Sequence, residues 1–220
     1  MVHYFRTHFD FTCHYIDGII DEWLEFAVSK KVEILELDFE TSDKNHDNMF
    51  KYDFKLVAGL KKLYLNKVNV SELVLGELLT KSPHLETISI RSSGYLMDIR
   101  VGGRDLKLKH FEIVECPFVV SVYLFDFDLE SFTYIGRPID LRLRLPKLKN
   151  VQSAKLDSFP GLPNIKKLTL TIVARADNSP LEFASKVNAC PNLETFIIEV
   201  LKLSPVNDLL NRIITGGNNC

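Results

Sequence analysis

The chain has little cysteine, no long apolar run and no excess of either charge. Its four cysteines, Cys13, Cys116, Cys190 and Cys220, stand far apart and include no C-x-x-C pair. Disulfide frameworks and zinc sites need denser or clustered cysteines, so we expect reduced thiols in the cytoplasm, the nucleus or both. The 27 Lys and Arg nearly balance the 29 Asp and Glu, for a net charge of −2. This charge gives no reason to expect nucleic acid or a membrane as a partner.

Targeting and membrane segments are also lacking in the sequence. Charges and histidines interrupt the first 18 residues, and no apolar stretch approaches a membrane span of about 18 residues. The composition is 46% apolar and 25% charged, which is typical of a soluble globular chain and excludes intrinsic disorder. The clearest excess is leucine, with 31 copies in 220 residues.

Much of this leucine falls into a six-residue motif, L-x-x-L-x-L, with apolar substitutions. Its copies are Val32-Leu35-Leu37, Leu60-Leu63-Leu65, Leu85-Ile88-Ile90, Leu108-Phe111-Ile113, Leu129-Phe132-Tyr134, Ile165-Leu168-Leu170 and Leu193-Phe196-Ile198, with a half match at Leu148 and Val151. First positions are 28, 25, 23, 21, 19, 17 and 28 residues apart, in or near the range of leucine-rich repeats. The last two apolar positions alternate at period two, which predicts a strand with one buried face.

Three segments between these predicted strands have a helical period instead. The apolar faces are Ile19, Ile20, Trp23, Phe26 and Ala27 after the possible cap Asp17; Val74, Leu75, Leu78 and Leu79 after the possible cap Ser71; and Leu181, Ala184 and Val187 after Pro180. From Leu96 to Lys155 no helical period is convincing, and we expect turns or an extra strand on the outer side there.

These patterns predict a single α/β domain over residues 1–220, an irregular leucine-rich-repeat solenoid. Its parallel sheet would line the concave side, with short helices and turns on the convex side. Residues 1–31 would form an N-terminal cap strand and helix, 32–200 about eight repeats, and 201–220 a C-terminal cap helix and tail. A doubly wound α/β sheet also alternates strands with helices, but the recurring six-residue motif favours the solenoid.

The ninth position of such a repeat usually holds Asn or Cys, whose side chain bonds backbone groups inside the turn. Here the position holds Glu40, Val68, Ser93, Cys116, Arg137, Leu156, Val173 and Leu201. Only Cys116 conforms, so we expect the other turns to satisfy their backbone differently.

The opening run, residues 5–39, resembles the segment that begins the leucine-rich region of plant F-box/LRR proteins. The matching residues are Ile20-Asp21, Trp23, Phe26-Ala27, Ser29-Lys30 and Val32 to Phe39. Residues 60–70, 78–90, 108–117 and 125–136 look like successive repeats of that family.

The resemblance implies a non-catalytic protein–protein recognition module, like the substrate-binding region of an F-box/LRR subunit of an SCF ubiquitin ligase. In that family the preceding F-box docks on a Skp1-type adaptor. Met1 lies where the F-box would already have ended, so we expect adaptor binding only if an F-box is supplied outside this chain. The alternative is a stand-alone repeat scaffold, or an F-box-less competitor, with no link to ubiquitination.

No group of residues has the spacing of an active site. Cys13 and His14 are adjacent and would point to opposite faces of an extended segment. Asp126 and Asp128 could share a strand face, with the apolar residues at 125, 127 and 129 opposite, but a solvated strand is favoured. Residues 102–105, Gly-Gly-Arg-Asp, lack the helix and lysine of a phosphate loop and predict a turn. We therefore expect no catalysis, no cofactor and no metal.

The remaining candidate is the exposed face of the predicted parallel sheet. The side chains expected there are Glu36, Tyr64, Asn66, Ser89, Arg91, Glu112, Val114, Thr133, Thr169, Thr171, Ile197 and Glu199. This face is polar and mixed in charge, with Tyr64, Val114 and Ile197 as possible apolar anchors for a target protein. The alternative is a face that is merely solvated.

Overall fold

The structure of the protein is a computed structural model that describes residues 2–10, 19–40, 59–137, 139–154, 162–173 and 187–201. These ranges contain twelve strands and two helices. The strands are β1 (Tyr4–Asp10), β2 (Ile34–Glu40), β3 (Lys62–Asn66), β4 (Thr87–Arg91), β5 (Asp98–Gly102), β6 (His110–Val114), β7 (Ser121–Phe125), β8 (Ser131–Ile135), β9 (Asp140–Arg144), β10 (Asn150–Ala154), β11 (Lys167–Val173) and β12 (Thr195–Leu201). The helices are α1 (Ile19–Ser29) and α2 (Glu72–Lys81). Both are too short and too polar to cross a membrane.

Nine strands form one sheet in the order β1-β2-β3-β4-β6-β8-β10-β11-β12, and β5, β7 and β9 form a second. The strands within each sheet are parallel. In the nine-stranded sheet, equivalent positions of successive motif copies pair with each other: Leu35 pairs with Leu63, and Leu63 pairs with Ile88. A parallel pair needs a crossover between its strands, and β5, β7 and β9 lie in three of these crossovers. The chain has an α/β fold with a mostly parallel nine-stranded sheet.

The apolar positions of the six-residue motif form the core, as predicted. The motif residues from Val32 to Leu170 are each at most 2% exposed. Burying one side chain of this size contributes about 1.5–3 kcal/mol, so the repetition of the motif accounts for much of the stability. The last copy differs, because Leu193 and Phe196 are half-buried and Ile198 is 41% exposed.

Between Leu96 and Lys155, where turns or an extra strand were expected, the structure has the three strands of the second sheet. Alternate side chains of this sheet are buried in the same hydrophobic cluster as the motif residues; they are Ile99, Val101, Val122, Leu124, Leu141 and Leu143. The core of this part of the chain therefore lies between the two sheets.

A left-handed residue follows several strands and ends them in the same way. Lys67, Ser92 and Glu115 have φ between 54° and 56°. Their backbone N–H groups donate to the oxygens of Arg91, Val114 and Ile135, the last residues of the neighbouring strands. This bond satisfies a backbone donor at the point where the chain leaves the sheet.

Both helices in the described ranges were predicted, but only α2 buries most of its predicted apolar face. In α2 the Ser71 hydroxyl accepts a hydrogen bond from the Val74 N–H at 3.4 Å, so Ser71 is the cap. Leu75, Leu78 and Leu79 of α2 are buried.

In α1 only part of the predicted apolar face is covered. Ala27 is buried, whereas Trp23 and Phe26 are 45% and 40% exposed. Their rings instead pack against the ring of Phe5 on β1, with centroids 5.9 and 5.8 Å away. The apolar face predicted for this helix is therefore only partly buried at these two aromatic residues.

The ninth-position rule also needs correction, because Ser93 fills the role expected of Asn or Cys. Its hydroxyl oxygen accepts a hydrogen bond from the Val70 N–H at 3.0 Å, and Ser93 is fully buried. Cys116, the residue that conforms by type, lies 3.8 Å through its sulfur from the Ile90 oxygen. The serine hydroxyl both donates and accepts hydrogen bonds, so it can satisfy backbone groups at this position.

Some predicted elements lie outside the described residues. They are the cap Asp17, the helix around Leu181 and Ala184, and residues 202–220 of the predicted C-terminal cap helix and tail.

Candidate functional site

The exposed side of the nine-stranded sheet carries two rows of side chains that run across the strands. The first row is Arg6, Glu36, Tyr64, Ser89, Glu112, Thr133, Gln152, Thr169 and Ile197. The second row includes His8, Asp38, Asn66, Arg91, Val114 and Ile135, and then Thr171 and Glu199. By the backbone register, the twelve positions predicted for this face fall in these two rows.

Besides the twelve predicted residues, the rows contain Asp38, which directly follows the first copy of the motif, and four members that were missed. Arg6 and His8 lie on β1, which has no copy of the motif, although the alternation of Phe5, Arg6, Thr7, His8 and Phe9 is itself a strand signal. Ile135 and Gln152 were also missed: Gln152 follows the half match and Ile135 the weak copy at Leu129.

Two of the predicted residues are less accessible than expected. Ser89 is 4% exposed and Thr169 is 6% exposed, since both are short and lie between longer neighbours. Contact with a partner would therefore fall on the longer side chains around them.

At the β1 end the charged residues of the rows bond to each other. Arg6 Nε lies 3.2 Å from Glu36 Oε1, and His8 Nδ1 lies 3.2 Å from Asp38 Oδ2. Asn66 donates from Nδ2 to Asp38 Oδ1 at 2.6 Å. Cross-strand pairs of this kind fix the side chains in place more than they add stability.

A second charged group lies on β4 and β6. Arg91 bonds Glu112 Oε1 through Nη2 at 2.6 Å and through Nε at 2.8 Å. The Ser89 hydroxyl donates to the same oxygen at 2.6 Å. Glu112 is thus held by three hydrogen-bond donors on its neighbouring strand.

Tyr64 lies between these two charged groups and borders a shallow groove. One part of the groove, about 400 Å³, is lined by Arg6, Glu36, Asp38, Tyr64, Asn66 and Arg91 among others. A second part, about 200 Å³, shares Tyr64, Ser89 and Arg91 with the first and continues to Glu112 and Thr133. At its rim Tyr4 donates to Glu36 Oε2 at 2.6 Å, and this hydrogen bond raises the pKa of Tyr4.

Beyond β6 the face changes to uncharged side chains until the last strand. Val114 and Ile135 stand next to each other in the second row, and Thr133 precedes Gln152 in the first. Gln152 donates a hydrogen bond to Glu199 Oε2 at 3.3 Å. This bond joins β10 to β12 across the intervening strand β11. The face therefore combines a charged, internally bonded half with a half of mixed apolar and amide character.

The described residues show no arrangement suited to metal binding, and the two described cysteines are inert. No group of three or more metal-ligating side chains occurs in these ranges. Burial raises the pKa of the Cys116 thiol to about 11, and burial also raises the pKa of Cys190. A nucleophilic thiol needs a lowered pKa, so these two side chains act as small apolar groups.

Asp126 and Asp128 are both exposed, as favoured above, but they follow the end of β7 and do not lie on a strand. Strand β7 ends at Phe125, and Asp126 is left-handed with φ 58°. Asp128 instead forms an ion pair with Lys147 at 2.6 Å. The turn predicted from Gly-Gly-Arg-Asp is present, with the Leu106 N–H bonded to the Gly103 oxygen at 3.2 Å.

Comparison of the chain with protein-family models, with curated proteins and with solved structures finds no match in any of the three.

Proposed function

We propose that the chain is a leucine-rich-repeat solenoid and that the two rows of its nine-stranded sheet form a binding face for a protein target. The fold supports this proposal through three repeated features. The motif pairs in register from strand to strand, the strands are parallel, and left-handed residues end several of them alike. Stacked units of this kind bury a continuous core that a single unit could not form.

The observation that carries the binding role is the continuity of the first row across all nine strands of the sheet. At about 4.8 Å between strands the face is roughly 40 Å wide, which is enough for a helix or loop of a partner to lie across it. The groove beside Tyr64 and the apolar pair Val114 and Ile135 offer places for anchoring side chains. The bonded charges around Glu36 and Glu112 are already held in fixed positions, which lowers the entropy cost of binding.

The target-binding role in ubiquitination rests on the resemblance of residues 5–39 to plant F-box/LRR proteins. In this proposal the chain selects a target, and an F-box supplied elsewhere would contact the Skp1-type adaptor. The alternative remains a stand-alone scaffold or a competitor that binds the same target without delivering it.

A photo-crosslinking experiment tests the binding face. A photoreactive phenylalanine analogue at Thr133 should capture a target protein that the same analogue at exposed Asp105, off the nine-stranded face, does not capture. The purified target should then bind at least about tenfold more weakly to Tyr64→Ala and Val114→Asp variants. Equal capture from both positions, or equal affinity of the variants, would refute the proposal.

A second experiment separates the two biological roles. If the chain serves a ligase, its coexpression with the target should lower the abundance of the target in a proteasome-dependent way. A competitor should raise the abundance of the target instead. Direct binding of the Skp1-type adaptor to this chain alone would contradict the expectation that docking needs an F-box supplied outside it.

A further inference from the structure

The exposed side of the three-stranded sheet forms a second surface, unrelated to the two rows. On β7 the side chains of Tyr123 and Phe125 lie opposite the buried Val122 and Leu124. The two rings are stacked, with centroids 4.7 Å apart and an interplanar angle of 25°. This pair presents an aromatic surface in the centre of the sheet.

A glycine on the neighbouring strand makes room for one of the rings. Gly102 is the register partner of Phe125, and a Cβ at position 102 would lie 2.5 Å from the ring of Phe125. No side chain larger than hydrogen fits there without moving the ring. The absence of a side chain at 102 therefore lets Phe125 lie over β5 and supports the stacked pair.

Arginines surround the rings on both neighbouring strands. Arg100 and Arg142 are the register partners of Tyr123 on its two sides, and Arg144 is the partner of Phe125. Arg144 donates from Nη1 to the Tyr123 hydroxyl at 3.2 Å. We name Arg100, Tyr123, Phe125, Arg142 and Arg144 the arginine–aromatic surface.

The charges of this surface are incompletely neutralised. Arg142 pairs with Asp140 at 2.6 Å, as Arg6 and Arg91 pair with carboxylates on the other sheet. Within the described ranges, neither Arg100 nor Arg144 has a carboxylate within ion-pair distance, although the carboxylate of Asp126 attracts Arg144 from farther away. Two guanidinium groups beside an aromatic pair are thus available for an anionic partner.

We propose that the arginine–aromatic surface binds an acidic segment of a partner protein. Its carboxylates would bond the guanidinium groups of Arg100 and Arg144, which match carboxylate geometry. An apolar or aromatic side chain between them would pack on the rings of Tyr123 and Phe125. Two strand spacings separate β5 from β9, about 10 Å, which about three residues of extended peptide span.

The charge of the arginine–aromatic surface favours a peptide over a nucleic acid as its partner. Asp98 and Asp140 lie on the same face at the start of their strands, and the whole chain has a net charge of −2. Tracking of a phosphate backbone needs a broader basic stripe than three arginines flanked by the three aspartates Asp98, Asp126 and Asp140. A short acidic peptide needs only the guanidinium groups of Arg100 and Arg144, which form no ion pair within the described residues.

A peptide selection tests the proposal with the full chain. A phage library of random dodecapeptides is selected on the wild-type protein and counter-selected on the R100E/R144E variant. The enriched peptides should carry two or more Asp or Glu around an aromatic or aliphatic residue. A fluorescein-labelled synthetic peptide of the consensus should bind R100E/R144E at least about tenfold more weakly than wild type.

The matched control reverses the same number of charges on the other sheet. Lys62 and Lys167 are exposed on the nine-stranded sheet, and K62E/K167E should leave the affinity within roughly twofold. If R100E/R144E fails to fold, judged by circular dichroism and thermal unfolding, R100Q/R144Q replaces it and should still lose affinity.

Three outcomes would overturn the proposal. They are an absence of enriched acidic peptides, equal binding by the arginine variants, and displacement of the peptide by a single-stranded thymidine oligonucleotide that binds more tightly. The last outcome would assign the surface to nucleic acid.

Discussion

The hydroxyl of Tyr134 occupies the space that a side chain at Gly136 would need. A Cβ at position 136 would lie 2.8 Å from this hydroxyl. Tyr134 is fully buried and donates to the Arg137 oxygen at 2.8 Å, so its ring has no free space to move. Burial raises the pKa of Tyr134, which keeps the phenol a donor at neutral pH. In the other full copies of the motif, the last position holds Leu or Ile. The larger Tyr134 fits at this position because Gly136, two residues later, has no side chain.

Gly136→Ala should therefore destabilise the protein by about 1–3 kcal/mol through overpacking. The cost should be smaller in a Tyr134→Phe background, which lacks the hydroxyl. Urea unfolding of the four proteins of this double-mutant cycle measures the coupling. The matched control is Gly76→Ala in α2, where a Cβ meets nothing within 4 Å, and it should stabilise by up to about 1 kcal/mol. An additive cycle would contradict the close contact.

Ser93→Ala should destabilise the protein by about 1–3 kcal/mol, because it leaves the buried Val70 N–H without its acceptor. Ser131→Ala is the control: Ser131 is half-buried on the face of β8, and its loss should change stability by less than about 0.5 kcal/mol. Thermal unfolding of both variants measures the difference. Equal effects would show that the Ser93 hydroxyl is not a structural acceptor.

The residue directly before each strand from β2 onward in the nine-stranded sheet is charged, and these residues form a line across the sheet. Its members, joined by backbone hydrogen bonds, are Glu33, Lys61, Glu86, Lys109, Glu130, Lys149, Lys166 and Glu194. The signs alternate until Lys149 and Lys166, which are neighbours. Lys61 lies 2.8 Å from Glu33, and Lys166 lies 2.6 Å from Glu194.

Exchanging the last two charges, K166E/E194K, would make the signs alternate throughout. We expect a gain of about 0.5 kcal/mol at low salt, because one repulsive neighbour becomes attractive. The reverse exchange at the other end, E33K/K61E, creates a repulsion with Glu86 and should lower the stability at low salt. Urea unfolding at low and high salt measures both, and high salt should reduce both differences. A gain that survives high salt would point to a cause other than charge.

Cys116 should make the protein less stable as the pH rises above about 8. Its pKa is raised by burial from the ordinary 9.0 to about 11, so between these values the unfolded thiol loses its proton while the folded thiol keeps it. Ionisation then favours the unfolded chain, by about 1 kcal/mol at pH 10. The measurement is urea unfolding from pH 7 to pH 10. Cys116→Ala should lose less stability over this range than wild type; the same pH slope in both would contradict the assignment.

Deleting residues 1–30 should cause aggregation. β1 pairs along its whole length with β2, and the ring of Phe9 lies 5.6 Å from that of Phe39. The deletion exposes the edge of β2 and the core residues beneath it, and an unprotected edge promotes association between chains. Size-exclusion chromatography and urea unfolding provide the measurement. A monomeric product that unfolds cooperatively would contradict the capping role of this segment.

Much of the nine-stranded sheet was predictable, because the apolar positions of the motif are the positions that the strands bury. The spacing of Leu63 and Leu65 within one copy, and its recurrence at Ile88 and Ile90, predict strands that pair in register. Once the register is known, alternation alone places Tyr64 and Ser89 on the opposite face. This is why all twelve predicted residues lie in the two rows, while Arg6 and Gln152, outside full copies of the motif, were missed.

The sequence by itself determined which side chains face the core, since a period of two or 3.6 is a local property. Tertiary structure decided which side chains meet across strands. Arg100, Tyr123 and Arg142 are about twenty residues apart in the chain and share no motif, and only the register of the second sheet brings them together. The acceptor role of Ser93, the exposure of Trp23 and the fit of Tyr134 over Gly136 likewise depend on packing between distant segments, which no local pattern encodes.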